Sequence, residues 1–401
     1  MLLPEMRRVL SFFGTRPEAI KMAPVAHAFA ELSTPGMVHL LCNTGQHRDL
    51  VRPLLDWFQL KADHSLDLMT DNQSLAGFTA RALTAVDALL EKTRPDLVLC
   101  QGDTTTAMVV GLAAFYRRIP VGHVEAGLRT HNRFAPFPEE INRCIIDLVA
   151  DHCFAPTVRS AEELRKAGVS QDRITVTGNT AIDALLWTLQ KLKVTELPSL
   201  NPPGVIGDLL APGASAELAL VTAHRRESFG EGIGRIARAV RHLAHDFPQL
   251  QWIWPVHPNP NVRGPLQDIL RDERRIHLVE PLDYPLLCSL LARSTLVLTD
   301  SGGLQEECPT LGIPVFVMRE VSERPEGIEA GNAVLAGTHE ESIVQAVRRF
   351  FEDGEVRTRM CTPRPVYGDG TAGLQIAQFC SNILAGSDRS TERRLHEGAR
   401  T

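Results

Sequence analysis

From Arg7 onward, short apolar runs rich in branched residues alternate with longer stretches whose apolar positions recur at the helical period. That alternation predicts βα units around a mainly parallel sheet. In the first unit, residues 8–13 (RVLSFF) predict a buried strand and Gly14-Thr15-Arg16-Pro17-Glu18 a turn into a helix over 18–32, with Ser33-Thr34-Pro35-Gly36 ending it. Further strands are predicted at 38–42, 97–101, 119–124 and 152–155, with helices such as 104–117 between them. Prolines and glycines break the alternation over 191–215, which predicts a linker or hinge. A second series follows, with strands at 218–223, 252–256, 276–279, 295–299 and 313–317 and helices near 231–247, 284–293 and 303–311. The fold class is therefore α/β with two Rossmann-like domains, residues 1–190 and 216–370. One more helix is predicted at 371–385, and the charged stretch 386–401 is expected to be a disordered tail.

Composition narrows the picture without changing it. At roughly 150 residues per domain, 401 residues make two or three domains. Hydrophobic residues at 44% and charged residues at 22% are enough to build cores and speak against a disordered chain. Subtracting 48 acidic from 42 basic residues leaves −6, so the basic footprint of a nucleic-acid binder is missing and no nucleic-acid partner is expected. No apolar run approaches the roughly 18 residues of a membrane helix and no signal peptide is read, so no membrane partner is expected. The eight cysteines are scattered without C-x-x-C or metal-ligand spacing. Reduced thiols, a cytoplasmic location and no metal site are the corresponding expectations.

In an open α/β sheet the ligand crevice lies beyond the carboxyl ends of the strands, so polar residues directly after apolar strands are the first candidates. In order these are Arg16, Gln46-His47, Asp103, Glu125, His224-Arg225-Arg226-Glu227, His257, Glu280, Asp300-Ser301-Gly302-Gly303 and Arg319. Asp103 has a competing structural reading as a helix cap, and Glu139 and Glu140 sit at a helix start where the dipole favours acids regardless of function. Acids converging on one crevice would repel one another and raise at least one pKa, which suits general acid–base work. In the second half TDSGGLQEE (299–307) places Ser-Gly-Gly at a helix N-terminus, a construction that favours phosphate but also serves as a plain tight turn. Arg16, Lys21, His224 and Arg324 offer further positive charge. G-x-G-x-x-G after the first strand and G-x-x-x-x-G-K-[ST] are both absent, so neither hydride transfer nor ATP hydrolysis is indicated and no cofactor is expected.

GTRPEAIKMAP (14–24), QGDTTTA (101–107), VGHVEAGLRT (121–130), PFPEEINR (136–143), VTGNTAID (176–183), HRRESFG (224–230), PVHPNPNVR (255–263), TDSGGLQEE and ERPEGIEAG (323–331) together closely resemble the non-hydrolysing UDP-N-acetylglucosamine 2-epimerases, from about Arg8 to Leu384. The resemblance implies a GT-B fold of two Rossmann-like domains with the active site in the cleft and a last helix crossing back to the first domain. A homodimer is implied as well. The implied reaction is reversible conversion of UDP-GlcNAc to UDP-ManNAc for bacterial cell-surface polysaccharide, by elimination of UDP to a 2-acetamidoglucal and its re-addition. By match of motif, Asp103, Glu125 and Glu139 are the acid–base carboxylates. Arg16, Lys21 and His224 face the diphosphate, Ser301, Gly302 and Gly303 cradle it, Glu307 binds the ribose, and Arg324 contacts sugar or phosphates. Uracil is expected on the loop after 276–279, where Leu282 replaces a glutamine of some members and Leu287 an aromatic. Gln46-His47-Arg48-Asp49 and Asn72 depart from the residues with which some members bind an activating second UDP-GlcNAc, so such activation is expected to be weak or absent.

Three other readings fit less well. Hydrolysing 2-epimerases lack the GTRPEAIK and HVEAGLRT segments. A GT-B glycosyltransferase leaves the three first-half acids unexplained, and a non-catalytic nucleotide-sugar binder would have no use for them.

Overall fold

The structure is a computed structural model that describes residues 6–45, 48–70, 73–202, 204–223, 231–256 and 259–386. Two compact units emerge, one running to Asp183 and resuming at Gly370, the other spanning Ala184–Asp369. The first contains β1 (Arg7–Phe13), β2 (Met37–Asn43), β3 (His64–Ser65), β4 (Leu97–Gln101), β5 (Val121–Val124), β6 (His152–Ala155) and β7 (Ile174–Val176). They form one parallel sheet in the order β3-β2-β1-β4-β5-β6-β7. The second contains β8 (Glu217–Thr222), β9 (Leu250–Pro255), β10 (Ile276–Val279), β11 (Ser294–Thr299), β12 (Val315–Val317) and β13 (Ala333–Leu335), parallel in the order β10-β9-β8-β11-β12-β13. Both orders reverse direction beside the first strand of the unit, as in Rossmann folds, which puts the switch points at β1/β4 and β8/β11.

Apolar residues cover both faces of each sheet because alternate side chains of a strand point opposite ways. Leu10 and Phe12 of β1 enter one core with Val98 and Cys100 of β4, while Val9, Leu97 and Leu99 enter another. In the second unit Ala219 and Val221 join Trp252 and Trp254 on one face, and Leu218 joins Ile253 on the other.

The helix Arg16–Leu32 starts two residues before its expected place because Thr15 caps it, in a capping box with Glu18. The last helix, Ala372–Gly386, packs on it: Ile376, Ala377, Cys380 and Leu384 share a core with Met22, Val25 and Phe29. Gly373 permits the close approach, since a Cβ there would lie 2.8 Å from the Pro24 carbonyl. Residues 387–401, most of the expected tail, lie outside the described residues.

Three differences from the sequence reading have local causes. The strands expected at 119–124 and 313–317 begin only at Val121 and Val315, because each run opens with Ile-Pro and proline has no N–H for the ladder. Within the stretch read as linker, the helix Gly204–Leu210 buries Ile206 completely against Leu286 and Leu290. Strands β3, β7 and β13, only two or three residues long, were not anticipated.

Among the described residues no helix is long and apolar enough to cross a membrane, and no cluster of His, Cys, Asp and Glu could hold a metal ion. All eight cysteines are free thiols, and all but Cys144 and Cys361 are buried.

Candidate active site

In the first unit the switch point is closed by a carboxylate. Glu18 is 2% exposed. Its Oε2 accepts hydrogen bonds from the Gly14 N–H (3.0 Å), the Thr15 N–H (2.7 Å) and the Thr15 hydroxyl (2.8 Å), while Oε1 accepts from the Thr104 hydroxyl at 2.5 Å. The Thr104 bond joins the loop after β1 to the loop after β4. Burial raises the Glu18 carboxyl above its ordinary value, although the bonds from Thr104, Thr15 and Gly14 oppose the rise.

Next to this clasp stand two of the predicted acids. Glu125 follows β5 with a left-handed backbone, φ 66°, which a non-glycine residue adopts only at a cost of order 1–3 kcal/mol. Its carboxylate is bound on all sides. Lys21 Nζ lies 2.5 and 2.7 Å from its two oxygens, Asn179 Nδ2 donates to Oε1 at 3.1 Å, and Gln101 donates to Oε2. Gly127 makes the turn possible: a Cβ there would be 2.3 Å from the Ser160 carbonyl oxygen. Asp103 lies across Gly102 from Gln101, and Gly102 itself is left-handed at φ 72°. The Asp103 carboxylate pairs with Arg143, and its backbone carbonyl accepts from Asn142 Nδ2 at 2.9 Å.

Asn142 and Arg143 belong to the helix Glu139–Val149, so this helix is tied to the Asp103 loop. The adjacent acids at its start separate clearly. Glu140 is buried and accepts from the Thr130 and His131 backbone N–H groups and pairs with Arg143 at 3.3 Å, a structural role. Glu139, half-buried at the first helical position, remains the candidate.

Glu125 and Asp103 each have a cation of their own, and beside them burial raises the carboxyl of Glu18. Lys21, expected near a diphosphate, is the cation held by Glu125. Arg16 opens the helix Arg16–Leu32 and is half-buried.

In the second unit β8 and β11 end side by side, with the Thr222 and Thr299 hydroxyls 2.6 Å apart. Ser301 is the N-cap of the helix Gly302–Leu311, and its hydroxyl makes no cap hydrogen bond. The uncapped first turn, beginning Gly302-Gly303, presents N–H donors and the positive end of the helix dipole. Arg324 lies against it: a Cβ on Gly302 would be 3.1 Å from the guanidinium carbon. Glu306 (2.8 Å) and Glu323 (2.6 Å) hold the Arg324 side chain.

Glu307 is buried on the same helix, with the Tyr284 hydroxyl 3.5 Å from Oε1. The side chain of Leu282 is buried in the core with Ile206 and Leu286, which leaves only its backbone for recognition. His224 lies outside the described residues, as do Gln46, His47, Asn72 and His257.

Gln101, Asn179, Glu18, Arg143 and Glu306 were not singled out from the sequence. All five lie inside motifs quoted above, and a polar residue closing an otherwise apolar strand is the signal for Gln101.

Two parallel sheets of Rossmann order, each with its polar groups gathered at the carboxyl ends of the strands, define an α/β enzyme of the GT-B class. A family model described as UDP-N-acetylglucosamine 2-epimerase matches residues 31–381. The UDP-N-acetylglucosamine 2-epimerase of Neisseria meningitidis serogroup A is 42% identical over 373 residues, 92% of this chain and 98% of the relative. The Escherichia coli K12 enzyme of the same name is 42% identical over 381 residues, 94% and 97% of the two chains. A crystal structure of UDP-GlcNAc 2-epimerase from Neisseria meningitidis bound to UDP-GlcNAc superposes with a TM-score of 0.87 at 41% identity, covering 93% of this chain and 99% of the other. The chain belongs to the UDP-N-acetylglucosamine 2-epimerase family, non-hydrolysing isomerases of a nucleotide sugar.

Proposed function

We propose that the protein interconverts UDP-GlcNAc and UDP-ManNAc by eliminating UDP to a 2-acetamidoglucal and adding it back with C2 inverted. The C2 hydrogen has no neighbouring carbonyl to acidify it, so a carboxylate alone removes it very slowly. Departure of UDP builds oxocarbenium character at C1 and makes that hydrogen labile. Asp103, Glu125 and Glu139 supply the acid–base groups for the two faces of C2, as motif match suggests. The departing diphosphate is retained by the uncapped turn at Ser301, Gly302 and Gly303 together with Arg324, while Glu307 takes the ribose and the backbone around Leu282 the base. An anion at a helix N-terminus gains about 0.3–1 kcal/mol from the dipole, and charge-assisted N–H bonds add about 1.5–3 kcal/mol each. Arg16 and His224 complete the anion site in this reading.

The observation that carries the reading is Glu125: an acid in left-handed backbone, gripped by Lys21, Asn179 and Gln101 at a strand end. The same reading makes the product a precursor of cell-surface polysaccharide formed in the cytoplasm. It also makes the active form a homodimer, and the packed helices Thr105–Tyr116 and Glu139–Val149 leave the apolar side chains of Phe115, Tyr116 and Leu148 exposed. Sedimentation velocity decides that point, with a monomer counting against it. For the reaction, the protein is incubated with UDP-GlcNAc in D₂O and followed by NMR. UDP-ManNAc carrying deuterium at C2 is expected, whereas free ManNAc, acceptor-dependent transfer or no exchange would each select a rival.

A further inference from the structure

Beneath the loops that carry Asp103 and Glu125 lies a buried group that the proposed chemistry does not use. His123, in β5 and fully buried, stands between two acceptors: Nδ1 is 2.6 Å from Asp147 Oδ1, and Nε2 is 2.7 Å from the Gly102 carbonyl oxygen. A carbonyl oxygen can only accept, so Nε2 bears a hydrogen. Asp147 is 1% exposed, and its other oxygen accepts from Arg129 Nη2 at 2.5 Å. The Arg129 guanidinium keeps Asp147 a carboxylate, which accepts at Oδ1 as well, so Nδ1 also bears a hydrogen.

We infer that His123 is a positioning residue, an imidazolium clamped between Asp147 and the Gly102 carbonyl that fixes the left-handed Gly102 turn and so aims Asp103 and Gln101. The inference rests on the reading of Asp103 and Glu125 as acid–base groups. Gly102 is the pivot, because Gln101 on one side donates to Glu125 and Asp103 lies on the other. The Gly102 N–H is already engaged by the Val124 carbonyl at 3.0 Å, so the His123 bond fixes the second backbone group of that residue. Both hydrogen-bonding groups of the pivot are then held, and the turn has little freedom left. Two cations, His123 and Arg129, share the single carboxylate of Asp147. The cluster therefore places net positive charge behind a loop whose front carries two acids, and a charge fixed in the interior acts with little screening.

The test uses two near-isosteric variants and the ring itself. H123Q keeps a donor near the Nε2 position, facing Gly102; H123N keeps one near Nδ1, facing Asp147. With the full chain and UDP-GlcNAc in D₂O, H123N is expected to lower kcat by about 100-fold and H123Q by less than about tenfold, with KM within about threefold of the wild-type value in both. Nitrogen-15 NMR of histidine-labelled wild-type protein should show both ring N–H groups of His123 at neutral pH, the signals being assigned by their disappearance in H123Q. Equal losses of kcat in the two variants, a rise in KM that accounts for the loss, or a ring with a single N–H would overturn the inference. If H123N does not fold, the ring's protonation in the wild-type protein decides. A wild-type protein that exchanges no deuterium would instead refute the epimerase reading, leaving the ring measurement to judge His123 separately.

Discussion

The two units share a sheet order and differ in how they close the crevice at its switch point. In the first, the strand ends are locked by polar groups that satisfy one another: Glu18 takes four donors from the loops after β1 and β4, and Glu125 takes three partners. In the second, two threonine hydroxyls join β8 to β11, and the helix that follows keeps its first turn uncapped. The same topology therefore yields a rigid frame for carboxylates in one unit and a set of waiting N–H donors in the other. Acid–base chemistry needs groups held in one geometry, whereas a diphosphate brings its own acceptors.

Substitutions can break or sharpen this contrast. The largest effect is expected for Asp103→Asn, which keeps the shape and removes the charge; general acid–base groups are worth about 10²–10⁴ in rate, and deuterium exchange at C2 should fall within that range. Gly127→Ala comes next. It places a Cβ 2.3 Å from the Ser160 carbonyl oxygen at φ 88°, so strain and overpacking together should cost about 2–5 kcal/mol in urea unfolding.

Glu18→Ala leaves the Gly14 and Thr15 N–H groups without their buried acceptor and should cost about 2–3 kcal/mol, while Glu18→Gln should stay within about 1 kcal/mol. Because burial raises the Glu18 carboxyl above its ordinary 4.5, the stability linked to its protonated form is complete below 4.5 and is lost as pH rises through the raised value. Urea unfolding at stepped pH should show this decline in the wild-type protein and not in Glu18→Gln.

The smallest effects form a matched pair. Thr15→Ala, which removes a working cap, should cost about 1 kcal/mol, whereas Ser301→Ala should change stability by less than about 0.5 kcal/mol and weaken UDP binding instead. Equal stability losses in the two would erase the distinction between the units.

Much of the fold is legible in the sequence alone. β4, β6, β10 and the helix Tyr284–Arg293 match the predicted spans residue for residue. The strands are short, mostly apolar runs with one polar residue each, Gln101, His152 and His277, and the helix is opened by the Asp283 cap. Asp103 and Glu125 stand out because polar residues follow the strand ends in both halves of the chain, although a lone acid at such a place also serves as a helix cap. Edge strands of two or three residues, such as β3 and β13, carry too few side chains for a period to show. Glu18 was hidden for another reason: an acid in the first turn of a helix is already explained by the dipole, and its link to Thr104 exists only once β1 and β4 pair. Asn179 and Arg143 likewise reach their carboxylates across 54 and 40 residues of chain, a proximity that no local pattern encodes. The helix Gly204–Leu210 was masked by the prolines around it.

The division of labour between the units is tested most directly by calorimetric titration of UDP into the Asp103→Asn protein. If the first unit supplies the chemistry and the second the nucleotide site, the Kd for UDP should stay within about threefold of the wild-type value while deuterium exchange at C2 is lost. A UDP affinity that falls in step with the exchange rate would place Asp103 in the nucleotide site and contradict the division.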